Sequence, residues 1–450
     1  MTKFAPRWLR GFAGDAGVRA AAVSRLIALG GAPVTLYLAA TRLPPREQGW
    51  YFVAINIVAF AQLCELGLGT IVVQFASHEW PRLRWGRDGG LEGDSGACDS
   101  TAVLLATARR WFGAAALLLL FIAGLCGALA FGGLTGSRMT FLIPWCGFVS
   151  LTAVYLLAIP FICVSEGCGD LVAVQRMRAW QAAAILGALW AGIVTWGPLA
   201  AACLAAGAQF VVAAAWLAVR HRGLLRPPRT TVMPPLRDLR HLADRYRTEQ
   251  ARSARLWIAL WVAPQLLAPV LLRVRGGDEA GRLGVTLAVA TAPLTLAIAW
   301  LHGRYPAFGA MVAEGLTREF DALARRATLE AASVFVASCA MLTGAVLLLP
   351  LMLPVMAARF LPPVSLIALM AGNFAGLLLQ AMAGWLRAFR DEGIAAPIVG
   401  GAVTVVLASA VAGTLGGAPL MAAVFAAANL LIALPVAAVH FVRVRRERLR

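Results

Sequence analysis

The stretch "AQLCELGLGTIVVQFASHEW", Ala61 to Trp80, sets the reading of the whole chain. It closes an apolar run that starts near Trp50 and ends near Ser77. That run is long enough to cross a hydrocarbon core about 30 Å thick, which needs roughly 20 residues of helix. Yet it carries Glu65 near its middle, followed by Gly67 and Gly69. An ionisable group at such a depth is costly and marks function by default.

The same kind of run recurs along all 450 residues, of which 60% are hydrophobic and 14% charged. Soluble domains hold about a quarter charged residues. Nothing in the chain alternates with the ~10-residue strands of a membrane β-barrel. The expected class is therefore an all-α polytopic membrane protein. Twelve spans are predicted, near 18–41, 49–77, 103–132, 139–165, 178–197, 199–220, 252–272, 280–306, 328–350, 361–386, 394–415 and 418–441. The first is longer than a signal-peptide core and runs into a Pro-Pro turn, so it is read as retained.

Lysine and arginine set the orientation. With the N-terminus in the cytoplasm, the cytoplasmic segments hold 31 of the 40 basic residues and the opposite loops 7, with Arg19 and Arg25 inside span 1. Both termini are then cytoplasmic, and the net charge of +18 reflects topology rather than nucleic-acid binding.

Six spans precede the connector "RHRGLLRPPRTTVMPPLRDLRHLADRYRTEQ" and six follow it. Its Pro pairs make it stiff. Leu236, Leu239, Leu242 and Tyr246 then recur at the spacing of an interfacial amphipathic helix. The expected domains are an N-terminal six-helix bundle (1–220), a cytoplasmic linker (221–250) and a C-terminal six-helix bundle (251–450). Glu47-Gln-Gly49 before span 2 and Glu279-Ala-Gly281 before span 8 sit where a six-plus-six duplication puts equivalent segments. The N-terminal "FAPRWLRGF" puts Phe4, Trp8 and Phe12 on one helical face, and the polar loop 78–101 reads as solvated and flexible.

Arg19 and Arg25 lie in span 1, Arg25 about 10 Å deep and Glu65 about 18 Å deep at 1.5 Å per residue. Two readings stay open. Arg25 and Glu65 form a fixed ion pair that locks two helices, or the arginines meet an anionic substrate group and Glu65 holds them when the cavity is empty. Gly67 and Gly69 permit close packing or a bend there. The cavity candidates are Arg19, Arg25, Arg255 and Arg273; the gating or ion-pair candidates are Glu65, Gly67, Gly69 and His302. Arg273 and Arg275 close span 7 on the outer side, where basic residues are disfavoured, and suit an outer phosphate. Asn373 and Gln380 read as interhelical hydrogen-bonding groups, and Glu166 and Asp170 as the cytoplasmic end of span 4.

No P-loop pattern occurs, so the chain brings no ATPase. The eight cysteines form no CxxC pair, no acid/His/Cys cluster has metal-ligand spacing, and no cofactor is expected. The outer loops are too short for a membrane glycosyltransferase or polymerase.

Three stretches carry a resemblance: "REQGWYFVAINIVAFAQLCELGLGTIVVQFASHEW", "LADRYRTEQARSARLWIALWVAPQLLAPVLL" and "EAGRLGVTLAVATAPLTLAIAWLHGRYPAFGAMVA". They resemble the polysaccharide-export members of the multidrug/oligosaccharidyl-lipid/polysaccharide (MOP) superfamily, nearest the Wzx-type O-antigen flippases. The resemblance implies two six-helix bundles arranged as a V around a cavity. It implies translocation of an undecaprenyl-diphosphate-linked oligosaccharide across a bacterial inner membrane for polysaccharide or lipopolysaccharide synthesis. It also implies cationic cavity residues, membrane lipids as surroundings, and glycan polymerase or ligase enzymes as partners. The rival readings are a cation-coupled drug or metabolite antiporter of the same fold, and a non-transporting scaffold for glycan assembly.

Overall fold

The computed structural model describes residues 16–61, 68–131, 138–225, 264–302, 304, 308, 311–312, 315–389 and 395–449. The N-terminal anchor pattern, the amphipathic linker and the first half of span 7 lie outside them. Eight helices among the described residues are long and apolar enough to cross a membrane. One of these, Ala396–Arg448, contains two predicted spans run together. The chain divides into two compact units, 1–42 with 58–250 and 43–57 with 251–450.

In the first unit, α1 (Ala16–Arg42) is span 1. The inner part of span 2 is α3 (Leu68–Glu79). Then come a hairpin of β1 (Leu83–Trp85) and β2 (Leu91–Gly93), α4 (Ser95–Phe131), α5 (Arg138–Gly167), α6 (Leu171–Thr195), α7 (Pro198–Arg220) and the short α8 (Arg222–Leu225). Local chemistry fixes several of these ends. Asp94 caps α4 by accepting from the Ala97 amide at 3.0 Å. The α6–α7 turn closes on Gly197 at φ 91°, and Pro198 starts the next helix. Gly192 lets the two helices approach there, since a Cβ on it would lie 2.5 Å from Ala201 Cα.

The second unit holds α2 (Pro45–Val58), the outer part of span 2. Its other helices are α9 (264–275), α10 (Gly277–His302), α11 (Thr317–Met352), the short α12 (Pro354–Ala357), α13 (Pro363–Ala388), α14 (Ala395–Ala428), a π-helical turn (Asn429–Ala433) and α15 (Leu434–Leu449). The predicted boundary keeps all of span 2 in the first bundle, whereas the contacts group 43–57 with the second. Inside α14, Gly417 at φ 67° turns the chain between spans 11 and 12. α11 begins well before the predicted 328 because its charged first turns stay helical, with Arg325 on Asp321 at 3.1 Å and Arg326 on Glu330 at 2.9 Å.

Loop 78–101 is a correction. It folds into the hairpin and docks on its own unit: Trp85 Nε1 donates to the Cys168 carbonyl at 2.9 Å, and the Gly223 amide to the Asp88 carbonyl at 2.8 Å. The turn needs Gly89 at φ 75°, whose missing side chain makes room for the backbone of Arg220 and His221. Composition hid this, because the docking is done by one tryptophan and by backbone groups.

Candidate functional site

Span 1 carries the arginines of interest on a continuous helix, α1, that includes both Arg19 and Arg25. Their side chains lie outside what the structure describes. The far part of α1 packs on α6 through Gly31, which sits against Leu186, and through Thr35, whose hydroxyl accepts from Trp190 Nε1 at 2.9 Å. The same hydroxyl donates to the Gly31 carbonyl. Val23, Val34 and Tyr37 of α1 are exposed. Pro33 lies inside α1 and removes one donor from its hydrogen-bond ladder.

Span 2 is broken. α2 ends at Val58 and a turn follows at Ala59. Glu65 and Gly67 lie outside the described residues, and with them the proposed Arg25–Glu65 pair. Gly69 is buried in α3. α3 is held on α5 at its inner end, where a Cβ on Gly167 would meet Ala76 Cβ and the Val73 carbonyl, each at 2.6 Å.

The outer part of span 2 meets span 8 through glycines. Gly49 abuts the Gly277 backbone; a Cβ on Gly277 would lie 2.6 Å from the Arg46 carbonyl, and one on Gly281 3.0 Å from the Gly49 amide. The two segments read as repeat equivalents, Glu47-Gln-Gly49 and Glu279-Ala-Gly281, therefore pack on each other. Beside Gly49, Gln48 is 1% exposed and its Nε2 has no partner among the described residues. A buried unpaired amide costs about 1–3 kcal/mol.

The remaining candidates separate. Arg255 lies outside the described residues. Arg273 is exposed with no partner among them. His302 ends α10, its side chain undescribed. Arg275, read as an outer phosphate contact, is committed elsewhere. It donates to the carbonyls of Thr414 at 2.9 Å and Leu415 at 3.0 Å, closing the end of span 11. Glu279 does the converse for span 12, accepting from the Ala418 amide at 3.1 Å. Asn373 is an interhelical group, donating to the Ala290 carbonyl at 2.8 Å.

Sequence reasoning missed two clamps. In the first unit Asp170 takes two hydrogen bonds from Arg220, at 2.6 and 2.9 Å, and one contact with His221 at 3.1 Å. The His221 ring is buried between Trp85 and Trp216, with centroids 4.4 and 4.7 Å away. Burial pushes the Asp170 carboxyl up, but the bonds from His221 and Arg220 more than offset it and leave it below the ordinary aspartate value. In the second unit Asp321 is 3% exposed and takes two bonds from Arg445, both at 2.7 Å, and one from Trp385 Nε1 at 3.2 Å. Phe320, Phe389 and Phe441 surround Trp385. Each clamp ties down the basic end of its unit's last span. The signal was available: acids where the orientation rule favours bases, and an arginine in the last turn of span 6 or near the end of span 12.

The clamps also order the ends. In the first unit the loops after spans 2, 4 and 6 meet at one end, as alternate crossing requires. In the second, the end of span 7, the start of span 8 and the turn between spans 11 and 12 meet at one end. The starts and ends of spans 9, 10 and 12 carrying Asp321, Trp385 and Arg445 meet at the other.

No family model and no curated protein matches the chain. Solved structures do. One is an inward-facing multidrug-resistance MATE-family transporter of the MOP superfamily, with a TM-score of 0.63 at 14% identity over 95% of this chain and 98% of that one. Another is the lipid II flippase MurJ in an inward closed conformation, at 0.59 and 10% identity over 94% and 91%. A third is a MOP-superfamily transporter from Pyrococcus furiosus described as having a binding pocket of reversed polarity, at 0.55 and 15% identity over 99% of each chain. The fold of this chain is thus the fold of MOP-superfamily transporters.

Proposed function

We propose that this protein is a transporter of the bacterial inner membrane that moves a polyprenyl-diphosphate-linked oligosaccharide from the inner to the outer leaflet. The observation that carries this reading is the charge of the spans. Arg19 and Arg25 stand on one membrane helix, α1. Among the described residues no carboxylate stands in the middle of a span. Asp321 and Glu330, the acids furthest into a described helix, sit in the second and fourth turns of the 36-residue α11, before or at the start of the predicted span, and are paired with Arg445, Arg325, Arg304 and Arg326. A diphosphate gains charge-assisted, fork-shaped hydrogen bonds from arginine, and a cation gains nothing from it. The lipid tail stays in the bilayer while the head group crosses, and no bond is made or broken. Glycan-assembly enzymes that supply and consume the substrate are the implied partners.

A second reading, a cation-coupled drug or metabolite antiporter, is favoured by Glu65, the one mid-span carboxylate in the sequence. Several of the similar structures are of MATE transporters.

Reconstitution separates the two. Fluorescent polyprenyl-diphosphate oligosaccharide in liposomes is followed by a membrane-impermeant quencher. Flipping that depends on the protein, falls at least tenfold in Arg25→Ala and partly returns in Arg25→Lys is expected. Normal flipping by a stably inserted Arg25→Ala removes the role of Arg25. Absent flipping, together with cation-driven drug uptake that Glu65→Gln abolishes, establishes the second reading.

A further inference from the structure

We propose that the end of the second unit predicted to face outward carries a binding site for a phosphate group, held by Arg359 and Arg282, and that its occupant is the head group of a lipid in the outer leaflet. The proposal needs the membrane reading but not the proposed substrate.

A stranded charge is the first observation. Arg359 stands between spans 9 and 10, and its Nη1 is buried with no hydrogen-bond partner among the described residues. An arginine keeps its charge wherever it stands. A charged donor left desolvated and unpaired costs more than a neutral one. The chain fixes Arg359 in this place. Its amide donates to the Met356 carbonyl at 3.0 Å, and the next two residues, Phe360 and Leu361, are buried. An acceptor oxygen supplied from outside the chain removes the penalty on Nη1.

A second arginine stands close by. The buried Thr286 hydroxyl accepts from the Leu361 amide at 2.9 Å and donates to the Arg282 carbonyl at 2.7 Å. Arg282 is one turn before Thr286 and Arg359 two residues before Leu361, so both side chains leave the backbone within about 7 Å of this junction. Arg282 is exposed and has no ion pair among the described residues. Of the acids at this end, Glu279 is taken up by the Ala418 amide, and Asp278 is exposed and pairs with neither arginine. Two guanidinium forks suit a phosphate, which can accept from both.

Position names the occupant. Arg282 and Arg359 fall at the predicted outer boundaries of spans 8 and 10, the level of lipid head groups, where basic residues are otherwise disfavoured. Val355 and Val364, on either side of Arg359 in the chain, are exposed. Apolar surface next to a cationic pair suits acyl chains joined to a phosphate better than a free anion.

The test is photolabelling in proteoliposomes. The probe is phosphatidylglycerol with a photoreactive diazirine in its head group, and labelled peptides are mapped by mass spectrometry. Label is expected on the segments around Arg359 and Arg282. The lipid fraction needed for half-labelling is expected to rise about tenfold in Arg359→Gln and in Arg282→Gln. It is expected to recover in part in Arg359→Lys and to stay unchanged in Arg110→Gln, an exposed arginine of the first unit. Diacylglycerol carrying the same diazirine lacks the phosphate and is expected to leave these segments bare, a comparison that needs no variant. Competitors identify the source of the phosphate. Loss of label with excess phosphatidylglycerol but not with inorganic phosphate assigns a membrane lipid. Loss at a smaller fraction of polyprenyl diphosphate assigns the head group of that lipid instead. Loss with inorganic phosphate alone keeps the phosphate site and overturns the lipid. Equal labelling by diacylglycerol, or wild-type labelling of both Arg359→Gln and Arg282→Gln, overturns the site. The expected labelling in protein that flips no oligosaccharide supports the site and counts only against the proposed substrate.

Discussion

Asp170 and Asp321 show why single acids survive at the basic end of a membrane protein. Each is nearly enclosed, each accepts a two-pronged bond from an arginine near the end of a last span, and each also meets a ring nitrogen. Removing one partner of a buried pair leaves the other uncompensated, at about 3–5 kcal/mol when fully buried. Arg445 is 30% exposed against 53% for Arg220, so solvent screens the Asp170 pair more. Asp321→Asn is thus expected to lower the melting temperature in detergent more than Asp170→Asn. Equal or reversed losses would contradict the assignment of the deeper clamp. The pH dependence has a fixed sign. The Asp170 carboxyl is held below its ordinary value, so its contribution is present above the unfolded-state pKa of about 3.9 and is lost as pH falls through the lower folded value. The melting difference between wild type and Asp170→Asn is expected to be full at pH 7 and to shrink on acidification below about pH 4. A difference that does not change with pH would place the effect elsewhere than in the carboxylate.

Elements in this chain are joined by small residues used where side chains cannot fit. Gly417 is the clearest case among the turns. It takes φ 67° and lies against the carboxylate of Glu279, which accepts from the neighbouring Ala418 amide. Gly417→Ala forces a side chain into a backbone region, φ 67° with ψ −158°, that only glycine enters readily, at about 1–3 kcal/mol, and crowds Glu279. A measurable loss of thermal stability is expected, and an unchanged melting curve would show that the turn does not need its glycine. Span 2 shows a different logic. Its sequence is one apolar run, but its halves belong to different packing environments: α2 against the glycines of α10, α3 against Gly167 of α5. Hydropathy integrates over about 20 residues and cannot register a break at Ala59. The glycines at 67 and 69 drew attention to the inner half, while the seam that the structure describes is at Gly49.

The predicted orientation puts 31 of the 40 basic residues of the sequence in cytoplasmic segments. The orientation is tested by reporters on either side. Glu92→Cys, in the hairpin, is expected to label only in inside-out vesicles, and Arg273→Cys only in right-side-out ones. Labelling of both from the same side would overturn the alternation. The same balance of charge carries the proposed function, with arginines on α1 and the acids of α11, Asp321 and Glu330, each paired with arginine.

What the sequence determined was what the bilayer enforces. A hydrocarbon core accepts only segments whose backbone groups are satisfied internally, so the long non-alternating apolar runs of this chain read as helices, and the arginines predict which loops face inward. Arg19 and Arg25 were visible because charge in such a run is an exception. Tertiary structure decided the rest, because it depended on partners distant in the chain. Arg275 could serve a phosphate or a helix end, and only the nearness of Thr414 and Leu415 chose the helix end. The loop 78–101 is polar in composition, and only Cys168, His221 and Gly223 made it a docked hairpin. Gly49 is unremarkable until Gly277 and Gly281 arrive from more than two hundred residues away. Burial of polar backbone is a local demand that sequence states plainly; close approach between helices is a pairwise one, written only in the fold.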